Sequence, residues 1–168
     1  MGNALLSNVE QETTSACGLL ADLLLKNDWK LATAESCTGG MISAACTALA
    51  GSSNWFERGF VTYSNEAKSD SLGVDAALIE ANGAVSEVVA RAMAFGAVRH
   101  SLAQVSVAVT GIAGPTGGSA AKPVGTVWFG FQVHGLLTSE MQVFPGDRAA
   151  VRAATVNHAL KRLIELLG

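Results

Sequence analysis

Residues 105–110, VSVAVT, form an uncharged run dominated by β-branched side chains. A strand drawn from such a run has no face suited to water, so its sheet needs cover on both sides. The neighbouring segments are of the right kind. An apolar stripe at Val9, Ala16, Leu19, Leu20, Leu23 and Leu24 predicts a helix from Val9 to Lys26, stopped by Asn27. Leu31 to Ala34 predicts a strand, and the alternating, aromatic Phe56 to Tyr63 a second. Thr126 to Val133 and Leu136 to Phe144 predict an antiparallel pair turned at His134 and Gly135. Helices are expected from Thr38 to Leu49, from a cap at Asn65 to near Gly73, from a cap at Asp75 to Asn82, from Ser86 to about His100, and from Arg148 to Leu167. Five strands interleaved with helices on a 168-residue chain predict a single domain over residues 1–168. The expected class is α/β: a three-layer α/β/α domain with a mixed, mostly parallel five-stranded sheet.

Composition narrows the partners. The chain is 49% hydrophobic and only 15% charged, which suits a packed core rather than a disordered segment. A net charge of −3 argues against nucleic acid, which calls for a basic face. No apolar run reaches membrane-spanning length, and the N-terminus lacks a signal peptide's pattern. Three cysteines, Cys17, Cys37 and Cys46, are an odd number in a chain that needs no staples, which favours reduced thiols and a cytoplasmic location. His100, His134 and His158 are scattered without metal-ligand spacing.

Chemistry gathers where strands end. AESCTGG, residues 34–40, reads as a strand feeding a helix, with Ser36, Cys37 and Thr38 at the mouth and Gly39 and Gly40 in the first helical turn. The free amides of such a turn, with the helix dipole behind them, suit an anion or an oxyanion, although Ser36 or Thr38 also suits an ordinary N-cap. The loop GIAGPTGGSAAKPVG, residues 111–125, carries five glycines and two prolines and lacks the lysine of a nucleoside-triphosphate phosphate loop. A cradle of backbone amides at Thr110, Gly111 and Ile112 remains consistent with it. YSNEAK places Lys68 five residues after Tyr63. A lysine held in an apolar site can serve as general base for a serine, with a tyrosine orienting it or relaying a proton. Arg148 is a candidate cation for a phosphate.

These blocks together carry a family likeness. AESCTGG, AGSSNWFERGFVTYSNEAK, GAVSE, GIAGPTGGSAAKPVGTVWFG and GDR resemble the CinA C-terminal domain family, whose enzyme members are nicotinamide-nucleotide amidohydrolases. The resemblance, from about Leu19 to the last helix, implies hydrolysis of nicotinamide mononucleotide to nicotinate mononucleotide and ammonia, in pyridine nucleotide recycling, with no metal or organic cofactor. By motif it implies functional roles for Ser36, Ser53, Tyr63, Lys68, Thr110 and Arg148, with Ser53 favoured as nucleophile. Spacing strains that choice: a straight strand from Phe56 to Tyr63 would span roughly 25 Å and put Ser53 and Lys68 at opposite ends. A bent strand, a second subunit or Ser36 as nucleophile each resolves it. A homodimer is expected, with Trp55, Phe56 and Trp128 as apolar surface to cover. Two alternatives stand beside this reading: Cys37 as nucleophile beside Glu35 and Lys68, and a nucleotide-binding or scaffold module of the same fold without turnover.

Overall fold

A computed structural model describes residues 2–168, with side chains from Asn8 onward. In chain order the elements are α1 (Gly2–Lys26), β1 (Leu31–Glu35), α2 (Met41–Thr47), a 3-10 turn (Ser52–Asn54), β2 (Phe56–Val61), α3 (Asn65–Leu72), α4 (Ala76–Asn82), α5 (Glu87–Arg99), β3 (Val105–Gly111), β4 (Thr126–Val133), β5 (Leu136–Val143) and α6 (Arg148–Leu167). Among the described residues no helix is long and apolar enough to cross a membrane.

The strands form one sheet in the order β2-β1-β3-β4-β5. β1 pairs in parallel with β2 and β3, whereas β3–β4 and β4–β5 are antiparallel, so the sheet is evenly mixed rather than mostly parallel. The cause lies in the connections. His134 and Gly135 take left-handed φ of 46° and 90°, the geometry of a two-residue hairpin, and the loop after β3 returns β4 beside it. Helical crossovers serve only β1, β2 and β3.

Two apolar clusters lie on opposite faces. Val105, Val107 and Val109 join Leu31, Phe129 and Phe131 with residues of α1, α2 and α6, including Leu20, Leu24, Ile42, Leu160 and Leu163. Ala32, Ala34 and Ala108 face the other way, against Leu72, Ile79, Val89, Met93 and Ala97 of α3, α4 and α5. The alternation follows the two-residue period of strands buried on both sides. Trp55 belongs to the first cluster at 2% exposure, and Phe56 and Trp128 are half-buried, so the apolar surface expected of these three is largely covered.

Register decides which ends meet. Glu35 pairs with Val61 and Val109, Gly111 with Val127, and Thr126 with Val143. The C-terminal ends of β1, β2, β3 and β5 therefore share one edge, and α6 begins there. Asp147 caps it, its Oδ1 accepting from Ala150 N at 2.9 Å. Ser64, not Asn65, caps α3, accepting from Ala67 N at 3.0 Å, because the chain leaving β2 stays extended as far as Ser64. The opposite end of α3 touches α5 so closely at Gly96 that an added methyl group would overlap the Leu72 carbonyl.

Candidate active site

The segment after β1 differs from the expected helix start. Gly39 and Gly40 have φ of 58° and 102°, left-handed values outside any helix, and α2 begins only at Met41. The carboxylate of Glu35, buried completely at the end of β1, occupies the helix mouth instead. Its Oε1 accepts from Ile42 N and Thr38 Oγ1, both at 2.7 Å, and its Oε2 from Ser43 N at 2.9 Å and Ser43 Oγ at 2.8 Å. The amides at the actual helix start, those of Ile42 and Ser43, are thus held by the chain's own carboxylate. Thr38 is fully buried, with its hydroxyl on Glu35. Gly39 closes the turn, its N–H donating to Ser36 O at 3.0 Å.

This capped turn presents Ser36 to Lys68. Lys68 Nζ lies 3.1 Å from Ser36 Oγ, and donates to Thr62 O at 2.8 Å and Ser64 O at 3.5 Å. Lys68 is 1% exposed and, among the described residues, has no carboxylate within salt-bridge distance. Burial pulls its amine below a lysine's ordinary 10.5. A neutral amine has two N–H bonds and one lone pair. Once the amine is deprotonated, two carbonyls that can only accept take its two hydrogens, which leaves the lone pair for the Ser36 hydroxyl.

A pocket of about 230 Å3 opens over this pair. Its walls bring together Ser36, Tyr63, Lys68, Thr110, Gly111 and Arg148, with Cys37, Ala84 and Val85 beside them. Tyr63 is 60% exposed at the rim, where its hydroxyl accepts from Arg148 Nη2 at 2.8 Å; Arg148 Nη1 donates to Gly114 O at 3.0 Å. Thr110 Oγ1 donates to Ala84 O at 2.8 Å, fixing the far wall. Ile112 N is occupied by Thr126 O at 2.8 Å, which removes it from the expected amide cradle. Arg148 also lines an adjoining cavity of about 640 Å3, with Pro115, Val124 and Arg152.

Ser53 is not part of this assembly. It is exposed in the 3-10 turn before β2, while Thr62, Tyr63 and Lys68 follow the strand's other end. Six strand residues set these ends about 20 Å apart. Thr38, Gly39 and Gly40 stand behind the pocket rather than in its lining. Cys37 does line it, but burial pushes its thiol up to about 11, with Glu35 adding in the same direction, so it stays protonated and a poor nucleophile.

Three roles escaped sequence reasoning, which named Glu35 only beside Cys37 as an alternative nucleophile. The Glu35 side chain anchors the turn, Arg152 donates from Nε and Nη2 to the Cys37 and Thr38 carbonyls at 3.1 and 3.0 Å, and Lys122 Nζ ties the glycine loop to Val85 O at 2.7 Å. Only Arg152 left a trace, as the residue one helical turn after Arg148 and so on the same face.

Residues 13–167 match the family model of the CinA C-terminal domain. The chain is 58% identical over 125 residues to nicotinamide-nucleotide amidohydrolase PncC of Enterobacter agglomerans, covering 74% of this chain and 76% of that protein. It is 49% identical over 153 residues to the protein of the same name from Pseudomonas putida, covering 91% and 96%. A crystal structure of a competence-damaged protein (CinA) superfamily protein from Klebsiella pneumoniae superposes with a TM-score of 0.89 at 38% identity, over 92% of this chain and 97% of that one.

Proposed function

The chain belongs to the CinA C-terminal domain family, and on that premise we propose that it hydrolyses the carboxamide of nicotinamide mononucleotide, giving nicotinate mononucleotide and ammonia, with Ser36 as nucleophile and Lys68 as base. The substrate comes from relatives named for this activity. The observation that carries the residue assignment is the 3.1 Å contact between Ser36 Oγ and a buried Lys68 amine that has no carboxylate partner among the described residues.

Ser36 Oγ attacks the carboxamide carbon, forming a C–O bond while its proton passes to Lys68 Nζ and the carbonyl π electrons move to oxygen. Collapse of the tetrahedral intermediate breaks the C–N bond, and the Lys68 ammonium returns the proton to the leaving nitrogen, which departs as ammonia. Water then attacks the acyl enzyme, Lys68 takes its proton, and the carboxylate leaves as the Ser36 hydroxyl is restored. The Arg148 guanidinium, held among the described residues only by a phenol and a carbonyl, is suited to the substrate's phosphate. Tyr63 positions Arg148 at the rim.

Ser53 could reach Lys68 only from a second subunit of the expected homodimer, since β2 separates the two within one chain. Ammonia release from nicotinamide mononucleotide by the wild-type, S36A and S53A proteins tests the assignment. The expected result is loss of about a thousandfold or more in kcat for S36A and near-full activity for S53A. The reverse ordering transfers the nucleophile to Ser53, and a wild-type rate no higher than that of Lys68→Ala favours a binding module.

A further inference from the structure

Arg152 is spent on an unusual task for a half-buried arginine. Its Nε and Nη2 donate to two consecutive carbonyls, those of Cys37 and Thr38, at 3.1 and 3.0 Å, and among the described residues no carboxylate lies within salt-bridge distance of it. These carbonyls lie in the two residues that follow Ser36. A planar trans peptide points its C=O and its N–H in opposite directions. The guanidinium fork on Cys37 O and Thr38 O therefore turns the N–H groups of Thr38 and Gly39 away from α6. Gly39 N–H is taken up by Ser36 O. Thr38 is fully buried and outside the pocket lining, so its peptide serves to hold the turn rather than to meet the substrate.

A hydrolytic serine needs its hydroxyl held in one orientation against its base, and the backbone turn that follows it sets that orientation. The turn is not held by a helix of its own, because Gly39 and Gly40 are both left-handed. It is clamped from two sides, by Glu35 from within and by Arg152 across 114 residues of sequence.

Resting on the amidohydrolase reading above, we propose that Arg152 is a positioning residue for Ser36: it fixes the two peptides after the nucleophile and with them the aim of Ser36 Oγ at Lys68 Nζ. The adjoining cavity that Arg152 also lines offers it a competing role as a contact for the substrate's anionic end. The two roles separate in the kinetics. A positioning residue acts on kcat, and an anion contact acts on KM.

Steady-state ammonia release from nicotinamide mononucleotide is measured for wild type, R152A and R152K, with and without millimolar methylguanidinium. The expected loss for R152A is about 100-fold in kcat with KM moved by less than about threefold. Methylguanidinium recovers about a tenth or more of the lost rate, and gives no recovery in K68M. R152K keeps the charge but not the fork, so it loses about 10-fold in kcat, and it decides the matter where R152A fails to fold. A kcat within about threefold of wild type in either folded variant, or a loss carried by KM alone, overturns the positioning role. A wild-type protein without turnover removes the amidohydrolase reading and this role with it, whereas active wild type beside unimpaired R152A and R152K removes this role alone.

Discussion

Two backbone carbonyls, rather than an acidic side chain, hold the Lys68 amine, and this sets the pH behaviour of the site. Burial lowers the folded-state pKa below 10.5, while in the unfolded chain the lysine keeps its ordinary value. With Lys68 as the proposed base, activity needs the neutral amine, so kcat/KM is expected to rise with pH along a limb centred below 10.5, a limb that K68M abolishes together with turnover. Stability shifts in the same sense. Between the two values the unfolded chain binds the proton and the folded chain does not, so stability increases with pH across that window. Urea unfolding across neutral to alkaline pH should show this slope in wild type and lose it in K68M; a slope of opposite sign would mean that Lys68 is charged in the folded state. Lys68, Tyr63 and Arg148 were legible because they stand in distinctive blocks at the ends of recognisable elements. The capping role of Glu35 and the clamp made by Arg152 were not. Whether a carboxylate at a strand end turns inward to cap the next helix, and which carbonyl a guanidinium finds 114 residues away, depend on packing that no local pattern encodes.

At the scale of elements, most boundaries followed from hydrophobic period and capping residues: β4 and α6 begin and end where the sequence predicts, and α4 is capped by Asp75 through Ala77 N at 2.9 Å. The stretch from Thr38 to Leu49 was overextended, since paired glycines read as the interior of a helix are in fact its left-handed entry. The expected strand to Tyr63 ends at Val61, because Tyr63 and Ser64 leave the sheet to start the helix bearing Lys68. That helix is located by its far end. Gly96 of α5 lies against the Leu72 carbonyl with no room for a methyl group. Gly96→Ala is expected to cost about 1–3 kcal/mol of stability by pushing the two helices apart, despite the better helix propensity of alanine. Because the push reaches Lys68 through α3, kcat should fall as well, by about 10-fold or more. Urea denaturation and kinetics on the same preparation check both; a more stable, fully active variant would show that the helices separate without moving the base.

For the whole molecule, the sheet's connectivity explains how residues 36, 68, 110 and 148 come to one edge: three parallel strands and a returning hairpin all deliver their following segments there. The clustering of strand-end motifs announced that edge, but not the even balance of parallel and antiparallel pairs, because the loop after β3 is long enough to permit either direction. The same packing seals the sulfur chemistry. Cys17, Cys37 and Cys46 are all free thiols and all buried, and the one beside Ser36 is held protonated by its surroundings. Native protein exposed to iodoacetamide or to mild peroxide should therefore keep its full rate of ammonia release, whereas in denaturant all three thiols become reactive. Inactivation tracking modification of Cys37 in the folded protein would contradict this. With a hydroxyl paired with an amine as the proposed reacting pair, and its neighbouring thiol shut away, the activity is expected to be indifferent to swings in the surrounding redox state, so that turnover continues under oxidative conditions that would silence a thiol-dependent hydrolase.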